Sequence, residues 1–476
     1  MRGKGFIATL LVLLITMSGT VMPAEQSPTD IKGDWLGALK VAGMELRLVI
    51  KIKTTDQDSL TATMDSPDQG ATDIPIDKVT FSGDTLQFEA AALMISYIGT
   101  IDSTRSTITG MFTQYEQKLP LTLERTEQAP EVKRPQEPKP PFPYDEEEVR
   151  YEGTESGVSL AGTLTLPPSE EPVPAVLLIT GSGLQDRNET IMGHKPFLVL
   201  ADYLTRQGIA VLRVDDRGVF ESKGDISAAT TEDFANDALS GVRFLKTRPE
   251  IDTAKIGLIG HSEGGLIAPM LATQNVGVAF IVMMAGPGLP GEQILYEQGR
   301  LVLEAEGADE NVLIQQRLLQ EKIFHLIKEN PGGAELEEKL RELLNEEVQN
   351  LSEEERGVLN LSEEAMDVQV KSVSSPWFQF FLTYDPGPTL KEVRCPVLAV
   401  IGEKDLQVPP KENLRAIKEA LAAGGNQQFI VREMPRLNHL FQTAETGAVS
   451  EYSKIEETLS PDFLKLVGDW IIEQTK

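Results

Sequence analysis

The chain of 476 residues contains one cysteine and only four histidines. A single thiol cannot form a disulfide within the chain, so stability must come from buried apolar cores. Cys395 lies beside the strand-like residue Val397 and is interpreted as a small buried hydrophobe. The few histidines leave few candidates for an imidazole base.

Basic residues are also scarce, with 44 Lys and Arg against 73 Asp and Glu and a formal net charge of −29. Phosphate recognition depends on clustered Lys and Arg, so this balance argues against a nucleic acid partner. It equally disfavours an anionic membrane surface, and we interpret the acidity as a source of solubility. The length allows two or more domains with a sizeable core.

The sequence has no long apolar run, and the apolar run near its start is short. Residues 1–5 are basic, residues 6–21 are mostly apolar, and Pro23-Ala24-Glu25 follows. Because a bilayer needs about 20 apolar residues, residues 1–24 predict a cleaved signal peptide more readily than a membrane anchor, which is the alternative. We therefore expect export to the periplasm or the medium, with no membrane association after cleavage.

Residues 30–126 show the alternation of apolar and polar side chains that is typical of strands. Leu46, Leu48 and Ile50 fall on one face of such a segment, with charged residues on the other. Short strands separated by turn residues predict a small all-β domain, a barrel or a sandwich, in which nothing catalytic stands out. Six prolines within residues 127–145 predict a stiff linker.

The most informative motif is Gly260-His261-Ser262-Glu263-Gly264-Gly265, which lies between a strand pattern and a helix pattern. Glycines two residues before and two after a serine allow the strand and the helix to pass closely. The motif predicts that Ser262 is a nucleophile at the tip of a strained turn. An ordinary strand-to-helix loop is the alternative interpretation.

A nucleophilic serine on such a turn needs an acid and then a histidine, in that chain order. His325 and His439 follow Ser262. His325 lies in a charged helical stretch typical of a structural histidine, whereas His439 follows the last strand pattern in an irregular segment and is predicted to be the base. Asp405, three residues beyond a buried strand pattern, is the predicted acid, while Glu403 is expected to cap the turn or face water.

Together these motifs resemble the α/β-hydrolase superfamily, and more narrowly the bacterial serine esterases and serine aminopeptidase-like hydrolases. The segments that carry the resemblance are residues 179–188, 214–218, 260–265, 402–405 and 438–439. The resemblance covers nearly all of residues 147–476, and it implies Ser262 as nucleophile, Asp405 as orienting acid and His439 as general base. It implies no cofactor and no metal.

Two backbone amides should form an oxyanion hole for the tetrahedral intermediate. One is the amide of Glu263, which follows the nucleophile at a helix N-terminus. The other is expected from Ser182, with Gly183 letting the backbone approach the substrate. Many relatives have His-Gly where this chain has Thr180-Gly181, which leaves a hole made of amides unaltered; a plain connection is the alternative for this loop.

Residues 146–476 alternate buried strand patterns with helix patterns, which predicts a doubly wound, mostly parallel α/β sheet. An insertion at about residues 290–385 is helical and charged and far exceeds a usual connection. It is predicted to cap the active site. Near its end, Trp377 and Phe381 belong to an aromatic cluster that either packs a core or forms a wall of the substrate pocket.

These features predict a serine hydrolase that cleaves small carboxylic esters through an acyl-enzyme. A serine aminopeptidase acting on short peptides with the same residues is the close alternative. An alternative of another class is a non-catalytic envelope-binding protein, against which the intact Ser, Asp, His order speaks. The acyl length, the role of the all-β domain and the oligomeric state stay open.

Overall fold

The computed structural model describes residues 31–41, 44–55, 59–69, 71–114, 117–127, 133–330, 332–349 and 363–476. The predicted signal peptide lies outside the described residues, as do residues 128–132 of the predicted linker and 350–362 of the predicted cap. None of the helices within the described ranges combines the length and apolarity that a membrane crossing requires.

The first region is a nine-stranded sheet in which neighbouring strands run antiparallel. Its strands are β1 Gly33–Val41, β2 Met44–Thr54, β3 Leu60–Ser66, β4 Ala71–Ile76, β5 Lys78–Ser82, β6 Thr85–Ala90, β7 Ile95–Ile101, β8 Thr107–Gln114 and β9 Gln117–Thr126. The order β4-β3-β2-β1-β9-β8-β7-β6-β5 is an up-and-down meander in which β1 also pairs with β9. The predicted all-β fold is confirmed.

Alternating side chains give this sheet its core. Along β7 the burial alternates strictly, with Ile95, Tyr97 and Ile101 inside. Trp35 is fully buried, its indole N–H donates to the Ile31 carbonyl at 2.9 Å, and the Arg125 guanidinium lies 4.4 Å from the centre of its ring. The period of two thus places the apolar side chains on one face.

The second region is built on an eight-stranded sheet of order β10-β11-β13-β12-β14-β15-β16-β17. Its strands are β10 Asp145–Glu152, β11 Ser159–Leu166, β12 Val173–Ile179, β13 Ala210–Val214, β14 Ile251–His261, β15 Phe280–Met284, β16 Val397–Gly402 and β17 Phe429–Met434. The first two form an antiparallel hairpin and the other six run parallel.

Helices cover both faces of this sheet. They are α1 Pro196–Thr205, α2 Thr231–Leu245, α3 Gly264–Ala272, α4 Gly291–Ala305, α5 Glu310–Glu329, α6 Ala334–Gln349, α7 Glu363–Val373, α8 Pro376–Thr383, α9 Pro386–Glu392, α10 Pro410–Ala423, α11 Val449–Tyr452 and α12 Pro461–Gln474. One core packs α2, α3, α9 and α10 on the sheet, and the other packs α1 and α12. The predicted doubly wound α/β sheet is confirmed.

The insertion between β15 and β16 contains helices α4 to α9. Its helices have an apolar core of their own, which includes Phe324, Leu336, Leu340 and Val370. Apolar residues three and four apart on α5 and α6 line this core, because they fall on one face of a helix. The described part of the predicted cap is therefore helical, as its sequence pattern indicates.

Candidate active site

Ser262 lies at the tip of the turn between β14 and α3 with a φ of 52°, a left-handed conformation that is costly for a residue with a side chain. Its amide donates to the Met284 carbonyl at 2.8 Å. A Cβ on Gly260 would lie 1.9 Å from the Gly264 carbonyl oxygen, and a Cβ on Gly264 would lie 2.2 Å from the Ile179 oxygen. Both glycines are therefore required for the close passage of strand and helix.

Asp405 lies in the turn that follows β16 and is almost completely buried. One carboxylate oxygen accepts from the amides of Gln407 and Val408, each at 2.8 Å. The other lies 2.8 Å from Nδ1 of His439. The two amides fix the carboxylate, which leaves its second oxygen for the imidazole.

His439 follows β17 in an irregular segment that Asn438 holds in place. The side-chain oxygen of Asn438 accepts from the amides of Leu440 and Gln442 at 3.1 and 2.9 Å. Because an ionised carboxylate only accepts, the contact with Asp405 places the proton of a neutral His439 on Nδ1. Nε2 is then free to take a proton.

A cavity of about 210 Å³ contains both Ser262 and His439 in its wall. The remaining lining residues are Gly181, Ser182, Gln185, Glu189, Ile191, Met192, His261, Gln407, Leu440, Val449 and Tyr452. The structure thus brings together the predicted nucleophile and base at the carboxyl ends of the parallel strands, where ligands of such sheets bind. His325 lies elsewhere, exposed on α5 with Nε2 3.3 Å from Glu329.

The predicted oxyanion amides are those of Glu263 and Ser182. Glu263 precedes the first turn of α3, and Ser182 lines the cavity. Within the described residues, neither amide donates a hydrogen bond to the protein. Both donors are consequently available to a bound oxyanion.

The three predicted pocket residues, Gly183, Trp377 and Phe381, are not among the described residues that line this cavity. Phe381 packs with Leu266 and Ile294 in an apolar core, so packing is the interpretation that its environment favours. Trp377 stacks on Phe381 at 5.5 Å and donates its N–H to the Glu263 carboxylate. Gly183 lines a second, smaller cavity, to which Gly181 and Glu263 also contribute.

The side chain of Glu263, which sequence reasoning did not use, is buried beneath the loop. Its Oε1 accepts from the Thr231 hydroxyl at 2.6 Å and from the Trp377 indole at 2.7 Å. Burial raises the pKa of this carboxyl, while the two hydrogen bonds lower it. Trp377 therefore ties the cap to the residue that follows the nucleophile.

The Thr180 hydroxyl donates to Asp216 at 2.7 Å. Asp216 also accepts from the Gln185 amide at 3.0 Å, which fixes the loop that contains Ser182. Burial raises the pKa of Asp216 to about 8, and the two hydrogen bonds only partly oppose it. Thr180 thus has a structural role in this loop.

The adjacent Asp186-Arg187 pair is scaffolding. Arg187 lies 2.7 Å from Asp215 and also contacts Glu148 and Glu221. Asp186 accepts from the amide of Thr190 at 2.8 Å. These contacts hold the loop that begins at Gly181 against β10 and the segment that follows β13.

A second acid and imidazole pair, His261 with Glu189, was not predicted. Nδ1 of His261 lies 2.8 Å from Oε1 of Glu189, and both side chains are buried. The available signal was their position, because His261 belongs to the serine motif and Glu189 comes one residue after a motif of the hydrolase resemblance. Their pairing across 72 residues could not be read from the sequence. Among the described residues no cluster of His, Cys, Asp and Glu suits a metal ion.

Comparison with known proteins adds a family match. The profile of the X-Pro dipeptidyl-peptidase (S15) family matches residues 156–433. Esterase EstD of Thermotoga maritima is 27% identical over 315 residues, which cover 66% of this chain and 64% of EstD. The chain thus matches slightly less than two thirds of the length of that relative.

Two further similarities are more distant. A 31.7 kDa protein of Escherichia coli is 25% identical over 232 residues, covering 48% of this chain and 73% of that protein. The solved structure of a Pyrococcus furiosus esterase superposes with a TM-score of 0.41 at 15% identity, covering 70% of this chain and 90% of that one.

Proposed function

We propose that this chain, which belongs to the X-Pro dipeptidyl-peptidase (S15) family, cleaves small carboxylic esters through an acyl-enzyme on Ser262. The observation that carries the proposal is the 2.8 Å contact of Asp405 with His439, which lines the same cavity as the strained Ser262. An acid, an imidazole and a serine in this arrangement perform acyl transfer.

Each residue has a defined role in the proposed reaction. Nε2 of His439 takes the Ser262 proton as the hydroxyl attacks the ester carbonyl, and then gives it to the leaving alcohol. Asp405 orients the imidazole and stabilises its charged form. The amides of Ser182 and Glu263 bind the oxyanion, and water then hydrolyses the acyl-enzyme by the same steps in reverse.

The cavity wall supports an ester rather than a peptide with a free amino terminus. Among its described lining residues Glu189 is the one carboxylate: its Oε1 is engaged by His261 and by the Gly181 amide at 2.7 Å, and its Oε2, which has no hydrogen-bond partner in the described part of the chain, is buried and does not reach the cavity surface. A terminal ammonium needs an available acid as partner. The name of the relative EstD points in the same direction.

The dimensions of the cavity support a short acyl group. Its volume of about 210 Å³ is below that of most drug-sized ligand sites, roughly 300 Å³ and more. Part of its wall is apolar, with side chains from Ile191, Met192, Leu440 and Val449. A short acyl chain would bury apolar surface against these side chains and would leave no polar group without a hydrogen-bond partner.

An amino- or dipeptidyl-peptidase is the second candidate, because the matching family is described by that activity. The two functions separate on a panel of p-nitrophenyl esters with acyl chains of increasing length, together with aminoacyl and X-Pro anilides. We expect hydrolysis of the short esters by the full chain, none by Ser262→Ala, and unchanged rates in the matched control His325→Ala.

Each other result on the panel has a defined meaning. Efficient anilide cleavage with weak esterase activity would replace the ester proposal by the peptidase. Absence of turnover on the whole panel, together with no labelling by a fluorophosphonate, would support the non-catalytic binding protein.

A further inference from the structure

His261 contacts two acceptors with its two ring nitrogens. Nδ1 faces Oε1 of Glu189 at 2.8 Å, and Nε2 faces the backbone oxygen of His439 at 3.0 Å. A carbonyl oxygen only accepts hydrogen bonds, and Oε1 already accepts from the Gly181 amide at 2.7 Å. Donation to both acceptors requires a proton on each nitrogen, that is, an imidazolium paired with a carboxylate.

The charges around His261 are consistent with that state. Burial alone lowers the pKa of His261, but the charge and the hydrogen bond of Glu189, together with the hydrogen bond to the His439 backbone, oppose it, and the net effect is a raised pKa. Asp405 adds a smaller effect of the same sign. The ring of His439, 4.8 Å away, is the other titratable group that faces it among the described residues.

Through these contacts the buried side chains of Glu189 and His261 connect three parts of the site. Glu189 holds the amide of Gly181, next to Ser182. His261 directly precedes Ser262, and its ring holds the backbone of His439. A Cβ on Gly181 would lie 3.2 Å from both Glu189 Oε1 and Ser262 Cβ, so a side chain at this position would be crowded by both residues.

We propose that Glu189 and His261 form a positioning ion pair that fixes the oxyanion loop, the nucleophile and the base relative to one another. The inference rests on the proposed serine hydrolase function. Neither side chain needs to touch the reacting atoms. Their effect is on geometry, and a displacement of about 1 Å at such a site can cost on the order of 100-fold in rate.

Substitution of Glu189 by glutamine separates the contact of residue 189 with Gly181 from the contact of His261 with the His439 backbone. The amide oxygen of Glu189→Gln still accepts from Gly181 and from Nδ1 of His261, but it provides no charge to hold a second ring proton. A neutral His261 that donates from Nδ1 has no proton on Nε2, so the link to the His439 backbone is lost. In this variant Gly181 keeps its hydrogen bond to residue 189, and the His439 backbone loses its hydrogen bond to His261.

The sign of the pH dependence follows from the raised pKa. The pair contributes its full stability below pH 6.5, and this contribution is lost as the pH rises through the raised pKa of His261 in the folded protein. The alkaline limb of kcat should therefore move to lower pH in Glu189→Gln, in which the imidazolium has lost its counter-charge.

The test measures kcat, KM and their pH profiles on p-nitrophenyl butyrate for the full chain, Glu189→Gln and Glu329→Gln. The last is a matched control, because Glu329 pairs with His325 on the exposed surface of α5. We expect Glu189→Gln to lower kcat roughly 10- to 100-fold with KM nearly unchanged, and Glu329→Gln to change neither. A folded Glu189→Gln protein with the native kcat and alkaline limb would overturn the proposal.

Nitrogen-15 NMR of histidine-labelled native protein gives a readout that depends neither on the variant nor on activity. The chain has four histidines, so the resonances can be assigned by single substitutions. At pH 7 we expect His261 to carry protons on both nitrogens, and a neutral His261 would contradict the pair. If the native chain hydrolyses no substrate, the proposed function fails, while this measurement still decides the charge state.

Discussion

The two sheets of the molecule use their residues differently. In the nine-stranded sheet, buried and exposed residues alternate along β7. In the eight-stranded sheet, every residue of β15 and of β16 is buried. Strands covered on both faces place their polar neighbours at the strand ends, and Ser262 and Asp405 follow β14 and β16 there.

The comparison shows that the proposed catalytic residues lie at the carboxyl ends of the parallel strands. The described hydrogen bonds of the first region, such as those of Trp35 with Ile31 and of Arg47 with Asp68, hold the antiparallel sheet itself. The parallel sheet brings together side chains from distant parts of the chain. His439 lines the cavity, and Asp405 holds its imidazole. We therefore expect substitutions in the second region to change activity and those in the first to change stability alone.

The largest effect is expected for Asp405→Asn. An amide in place of the carboxylate favours the wrong tautomer of His439, so kcat should fall by about 10⁴ while the fold is retained. Glu403→Gln is the matched control, because Glu403 only accepts from the Arg436 amide at 2.8 Å. Ester hydrolysis under saturating substrate measures both, and a greater loss in Glu403→Gln would show that the acid is misassigned.

The next largest effect is expected for Ser182→Pro, which removes the backbone N–H of the oxyanion loop. Loss of one oxyanion donor costs about 100- to 1,000-fold in kcat. Ser182→Ala keeps the amide and should retain nearly full activity. Equal losses in the two variants would indicate that the side chain, not the amide, acts.

How much the sequence can predict is clear from these residues. Ser262 and its glycines form one short motif, and Asp405 follows an apolar strand pattern, so local reasoning finds them. The Glu189 pairing with His261 spans 72 residues, and Trp377 meets Glu263 across 114. Such contacts depend on how loops fold over the sheet, which no local period encodes. For the same reason Phe381 could not be assigned to core or pocket.

A smaller effect is expected in the segment that precedes β10. Arg134 donates to the carbonyls of Met192 and Gly193 at 3.2 Å and to those of Ser453 and Ile455 at 3.0 and 2.9 Å. Met192 lines the cavity, so Arg134→Ala should raise KM by roughly tenfold at most.

The control for Arg134→Ala is Lys133→Ala, whose side chain is exposed. Both variants are measured on the short p-nitrophenyl ester under the same conditions. An unchanged KM in Arg134→Ala would show that these carbonyl contacts do not shape the cavity.

The smallest effect on activity is expected for Trp35→Ala in the nine-stranded sheet. Removal of a fully buried tryptophan should cost about 3–5 kcal/mol of the free energy of unfolding of that sheet. The kcat of the folded protein should stay within roughly twofold, because the proposed site residues lie after Thr180. Thermal unfolding and ester hydrolysis measure the two quantities, and a parallel loss of kcat would break the distinction between the regions.

The most direct test of the central claim is to locate the covalent bond that the protein forms. Native protein is incubated with a fluorophosphonate and digested, and the modified peptide is identified by mass spectrometry, with Ser262→Ala in parallel. Nucleophilic catalysis by Ser262 predicts one adduct, on the Ser262 hydroxyl, with loss of esterase activity in proportion to labelling. An adduct on another serine with the same proportional loss, or full esterase activity in Ser262→Ala, would contradict the account.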